Sequence, residues 1–137
     1  MVLLEAEEIM QIKVKCETPL SVGDGGRGHL NVIPITGGIV TGKYKGRIVP
    51  GGADWSTIGE NGAHAFAKYL LEMENGEYIA VENEGILNKD DAKIRTTPRF
   101  YANLKGNYGE LNRGTYVASL DTDVDDYQVV IHVYRMD

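Results

Sequence analysis

The chain has 137 residues, 42% of them hydrophobic, and 20 acidic against 14 basic side chains give it a formal charge of −6. That length suits one domain spanning residues 1–137, able to bury a core without metal or disulfide staples. Net negative charge with no basic cluster repels a phosphate backbone, so nucleic acid is excluded as a partner.

The N-terminal MVLLEAEEIMQ carries acids where an export signal needs positive charge, and it holds no apolar run of membrane-spanning length. The expectation is a cytoplasmic protein without membrane association. From Met10 to Cys16 apolar residues alternate with Gln11, Lys13 and Lys15, the period-two signature of a half-buried strand. Cys16 is the only cysteine, so it forms no internal disulfide and reads as a buried strand residue in a reducing compartment. Between Val32 and Ile58 glycines and two prolines interrupt short β-branched runs. Val40 to Ile48 alternates as a strand with glycines on its crowded side, where bends and bulges occur. A Pro50-Gly51-Gly52 turn then presents Asp54 beside Trp55, the only tryptophan.

Ala63 to Met73 alternates again and is expected as a strand. Asn75-Gly76 separates it from the run Tyr78 to Glu84, which predicts a hairpin. Ala92 to Asn103 follows as a strand whose Pro98, lacking an N–H, must sit at an edge, end or bulge. Tyr116 to Leu120 and Tyr127 to Arg135 complete the series. The last of these is apolar on both faces through Val129, Val130, Ile131 and Val133, which requires cover within the domain or a homodimer contact. Short strands at regular spacing, with no amphipathic helix, predict an all-β, single-domain antiparallel sandwich or barrel, with closure favoured because it removes exposed edges.

Asp54 and Trp55 form the first candidate site, because desolvation beside an indole raises a carboxyl pKa toward general acid/base use. Arg95 is a candidate anchor for an anionic substrate, although Lys93, Arg95, Thr97 and Arg99 share one strand face and alternation favours solvent for it. Asn83 is in phase with Ile79 and Val81, which buries an amide that must find a partner. Tyr69 is in phase with the apolar side of its strand and presents a hydroxyl inward. No metal site is expected. The Asp121–Asp126 run departs from a calcium loop at its sixth and twelfth positions and reads as a solvated hairpin turn, and the three histidines lie on separate segments.

PITGG (Pro34 to Gly38), PGGADW (Pro50 to Trp55), RTTPRF (Arg95 to Phe100) and LNRG (Leu111 to Gly114), in that order, resemble the family known as domain of unknown function 3237. The resemblance covers nearly the whole chain. It implies an up-and-down antiparallel β-barrel, lipocalin- or streptavidin-like in outline, and carries over Asp54, Trp55, Arg95 and Asn112, with Asn83 and Arg27. Members usually have a tryptophan where this chain has Glu110, and an acid common ahead of the tyrosine-bearing strand is replaced by the His64 to Phe66 region.

The expected function is small-molecule chemistry of the isomerase, cyclase or lyase type at the barrel mouth. It needs no cofactor, with Asp54 and Arg95 as catalytic residues and Trp55, Asn83, Asn112, Arg27 and Tyr69 binding the substrate. A non-catalytic barrel that binds a small ligand is the first alternative, and an assembly protein working through the last strand is the second.

Overall fold

The computed structural model describes every residue except Asp125, and the backbone alone of Asp123. Nine strands occur in the described residues: β1 (Ala6–Cys16), β2 (Leu20–Asp24), β3 (His29–Gly42), β4 (Gly46–Gly59), β5 (Gly62–Met73), β6 (Tyr78–Asn88), β7 (Arg95–Tyr101), β8 (Thr115–Val124) and β9 (Tyr127–Met136). A single 3-10 turn, Gly109–Asn112, lies between β7 and β8. Each strand pairs antiparallel with its neighbour, and β1 pairs with both β9 and β3, closing eight strands into a barrel. β2 continues β1 along the same side of β3: Cys16 lies opposite Ile35, and Leu20 lies opposite Val32. Pro19 between them has no N–H to give a ladder, which explains the interruption. No helix in the described residues is long and apolar enough to cross a membrane.

The barrel follows the alternation. On β1, Met10, Ile12 and Val14 are buried, and on β7, Thr96, Pro98 and Phe100 are buried between exposed Arg95, Thr97, Arg99 and Tyr101. The Asn75-Gly76 hairpin forms as expected, with Gly76 at φ 89° and the Gly76 N–H donating to the Met73 carbonyl. Pro98 ends a ladder. Ile94 accepts the Leu120 N–H, so the even-numbered β7 residues address β8, and the N–H missing from Pro98 is on that side. Pairing of β7 with β8 accordingly covers Arg95 and Thr96, whereas β6 pairs with β7 as far as Tyr101.

Two expectations are corrected. Val40 to Ile48 is two strand ends around a turn at residues 43–45, because Gly42 adopts φ 109° and the Lys43 N–H donates to the Ile9 carbonyl, pulling the chain off the β3 line. Pro50-Gly51-Gly52 is a bulge inside β4, where the register with β5 shifts between Val49 and Ala53. A Cβ on Gly52 would lie 2.5 Å from the Lys68 carbonyl oxygen and from Tyr69 Cβ, so glycine lets β4 press close to β5 at this corner. Val130 on β9 is 5% exposed, so the doubly apolar strand finds its cover within the chain. The expected Asp121–Asp126 turn includes Asp125, outside the described residues.

Candidate functional site in the barrel interior

Core side chains fill the barrel unevenly. Ile48, Leu71, Met73, Ile79, Val81 and Val133 are at most 2% exposed and pack one half, and Leu111 from the 3-10 turn joins them. In the other half the inward β5 positions are Ala65 and Ala67, and a cavity of about 60 Å³ lies among Cys16, Asp54, Ala65, Ala67, Tyr69, Asn83 and Thr96, with Val14, Ile35, Leu120, Val129 and Ile131 as its apolar wall. Space of that size admits a few water-sized groups, well below the ~300–1,000 Å³ of sites for drug-sized ligands.

The polar residues of this wall are placed by strand register. Asp54 on β4 lies opposite Ala67 on β5, which lies opposite Asn83 on β6, which lies opposite Pro98 on β7. Asp54 and Asn83 therefore sit on one rung with alanine between them, about 10 Å apart at the backbone from two strand spacings. Tyr69 and Thr96 lie one inward position away along β5 and β7. Asp54 Oδ1, Tyr69 OH, Asn83 Oδ1 and Thr96 Oγ1 are buried without a hydrogen-bond partner in the protein. They are the whole set of such side-chain atoms in the described residues, and all belong to the wall of one cavity.

The electrostatics follow from burial. Desolvation pushes the Asp54 carboxyl upward, against weaker opposing pulls from the Phe66 backbone N–H and His64. Tyr69 is driven far above the usual phenol range, first by desolvation and then by Cys16 and Asp54, so it stays a hydroxyl at physiological pH. Burial, and secondarily Asp54, raises the Cys16 thiol, which leaves it protonated and weakly nucleophilic. Among the described residues, Lys, Arg and His are missing from the lining. The wall is thus one carboxyl and several neutral hydrogen-bonding groups in an apolar frame.

The family model described as Protein of unknown function (DUF3237) matches residues 4–136. The chain belongs to the DUF3237 family. A UPF0311 protein of Bradyrhizobium diazoefficiens is 33% identical over 150 residues, covering 97% of each sequence. A crystal structure of a conserved protein of unknown function from Rhodopseudomonas palustris superposes with a TM-score of 0.89 at 30% identity, covering 100% of both chains. An enzyme from Penicillium herquei shares the fold with a TM-score of 0.80 at 17% identity, over 100% of this chain and 97% of that one.

The candidate residues, those carried by the DUF3237 motifs and Tyr69 from its strand alternation, separate in the structure. Asp54, Asn83 and Tyr69 meet at the cavity. Trp55, adjacent to Asp54, must face the other side of the wall; it is 51% exposed, between Val32 and Phe66 on the outer surface. Arg95 points outward too, its guanidinium donating to the Ile94 carbonyl at 3.1 Å, so it cannot anchor an anion in the barrel. Arg27 lies exposed in the approach to β3, beside an outer groove that it shares with His64. Asn112 works as a structural clamp at the packed end: its side chain accepts the Ala102 N–H and donates to the Ala102 and Gly109 carbonyls at 2.9–3.0 Å. Thr96 and Cys16 were not among the sequence candidates. The alternation that turns Arg95 outward turns Thr96 inward, so that signal was available for Thr96.

Proposed function

We propose that this chain catalyses cofactor-free proton transfer at a carbon next to a carbonyl, inside the barrel, with Asp54 as the proton-transferring group. The observation that carries this reading is the convergence of the unpartnered oxygens of Asp54, Tyr69, Asn83 and Thr96 on one small cavity. Buried polar groups are normally paired, and leaving one unmade costs about 1–3 kcal/mol, so a cluster of them points to a partner from outside the protein.

The chemistry assigns each group a role. Asp54, with its pKa raised toward neutrality by burial, is better matched than a solvated carboxylate to take a proton from carbon and return it. Charge then grows on the substrate oxygen, where the Tyr69 and Thr96 hydroxyls can donate. Tyr69 holds its proton because burial disfavours the phenolate. Arg95 takes no part, since it faces outward.

The test is deuterium exchange at carbon, followed by NMR in D2O with acetone, 2-butanone and hydroxyacetone. Wild-type protein is expected to accelerate exchange, and Asp54→Asn to lower the acceleration by about 10²-fold or more, the usual contribution of a positioned acid/base. Exchange at the buffer rate with every ketone, or exchange indifferent to Asp54→Asn, sinks the reading and leaves a ligand-binding barrel.

A further inference from the structure

We propose that the ligand of this cavity is an uncharged, compact hydroxycarbonyl compound: its carbonyl oxygen accepts from Tyr69 and Thr96, and its hydroxyl donates to Asn83. The placement of its acidic C–H beside Asp54 rests on the proton-transfer reading; the remainder follows from the hydrogen-bonding capacity of the wall.

The wall selects against charge. Among the described residues the lining contains no cationic side chain, and the outer-surface Arg27, His64 and Arg95 lie against other grooves, so a carboxylate or phosphate would be buried unpaired beside Asp54. An ammonium could pair with Asp54 and donate to Asn83 Oδ1. It brings no acceptor, however, and leaves the buried hydroxyl protons of Tyr69 and Thr96 without a partner.

A neutral ligand must then offer both capacities. Asn83 Oδ1 can only accept, whereas the two hydroxyls can donate. A simple ketone satisfies the hydroxyls through its two lone pairs and leaves Asn83 Oδ1 unpaired. A simple alcohol carries its one donor and its two lone pairs on a single oxygen, which would have to serve Asn83 and both hydroxyls from one point. Adjacent hydroxyl and carbonyl groups on a short carbon frame meet all three needs, and the gap between Asp54 and Asn83, kept open by Ala67, is the place for that frame. The apolar wall of Val14, Ile35, Leu120, Val129 and Ile131 covers the rest of the ligand, and a cavity near 60 Å³ keeps it short.

NMR titration of the full-length protein with hydroxyacetone, acetone, acetate and ethylammonium tests this. Hydroxyacetone is expected to bind about tenfold or more tightly than acetone, the cost of leaving one buried acceptor unpaired. In Asn83→Leu that preference should shrink to near unity, with folding checked in the same spectra. In Thr96→Val, nearly isosteric, both ligands should weaken together and their ratio should persist. Equal binding of hydroxyacetone and acetone, or tighter binding of acetate or ethylammonium, overturns the proposal. Preferred binding of hydroxyacetone without exchange of its C–H in D2O upholds the ligand class and defeats the chemistry, whereas exchange without preference does the reverse.

Discussion

The two halves of the barrel interior are built from the same strands by opposite rules. Along β5 the inward positions run Ala65, Ala67, Tyr69, Leu71, Met73, from alanine to large side chains over one strand. Leu71 pairs with Ile48 on one side and Ile79 on the other, both at most 1% exposed, and Asn112 stitches the end shut. Around Ala67 the wall includes Asp54, Asn83 and Thr96, each with an unpartnered oxygen. The packed half supplies the burial that folds the chain, and the cavity half carries polar groups that weaken it. A site held at a cost in stability by a rigid neighbouring core is the usual form of the trade between stability and function.

The packed half is most sensitive at Leu71. Leu71→Ala, at a side chain with no exposure, should lower the unfolding free energy by about 2–5 kcal/mol, measured as a shift in the urea midpoint at unchanged slope. Four residues away on the same strand, Ala67→Val adds volume where there is room for it. It should leave stability unchanged or raise it by about 1 kcal/mol, as cavity-filling changes do, while abolishing hydroxyacetone binding by occupying the space between Asp54 and Asn83. A loss at Ala67→Val comparable to that at Leu71→Ala would mean that the two halves are equally packed.

Much of this division can be read from the sequence, and its limits have physical causes. Period-two alternation places Tyr69 and Asn83 inward and favours solvent for Arg95, as observed, because side-chain period on a strand is insensitive to where the strand ends. The alanines of β5 carry the cavity in plain view, since a run of small inward residues cannot fill a barrel. Motif order is less informative about sides: PGGADW and RTTPRF each deliver neighbours to opposite faces of the wall, so Trp55 and Arg95 travel with site residues without joining them. Glycine marks both the Pro50-Gly51-Gly52 bulge and the turn at residues 43–45, but whether the chain turns or bulges there is set by contacts with β5 and β1.

A smaller effect separates the halves by pH. Because the folded-state pKa of Asp54 is raised above its unfolded value by burial, its contribution is neutral to folding below about pH 4, the usual Asp range, and turns unfavourable as pH rises and the unfolded chain ionises more readily. Asp54→Asn should therefore be more stable than wild type at pH 7, with the gap closing toward pH 4 in urea titrations. A variant that is less stable at pH 7 would mean that the carboxylate has a favourable partner in the fold.

The smallest expected effect lies on the outer wall and runs with pH in the same sense, though from the opposite cause. His132 on β9 bonds Glu8 on β1 at 2.9 Å and Asp121 on β8 at 3.1 Å, bridging three strands. The hydrogen bond to Glu8, followed by Asp121, raises its pKa against a lowering by desolvation. A raised histidine stabilises the fold fully below its unfolded pKa, near 6.5, and loses that contribution as pH rises through the folded value. His132→Asn should cost up to about 1 kcal/mol at pH 5.5, as partly exposed ion pairs do, and distinctly less at pH 8.5. Here the charged form is the stabilising one, whereas at Asp54 the charged form is the burden. A cost for His132→Asn that is equal at both pH values would assign the residue to packing instead of charge.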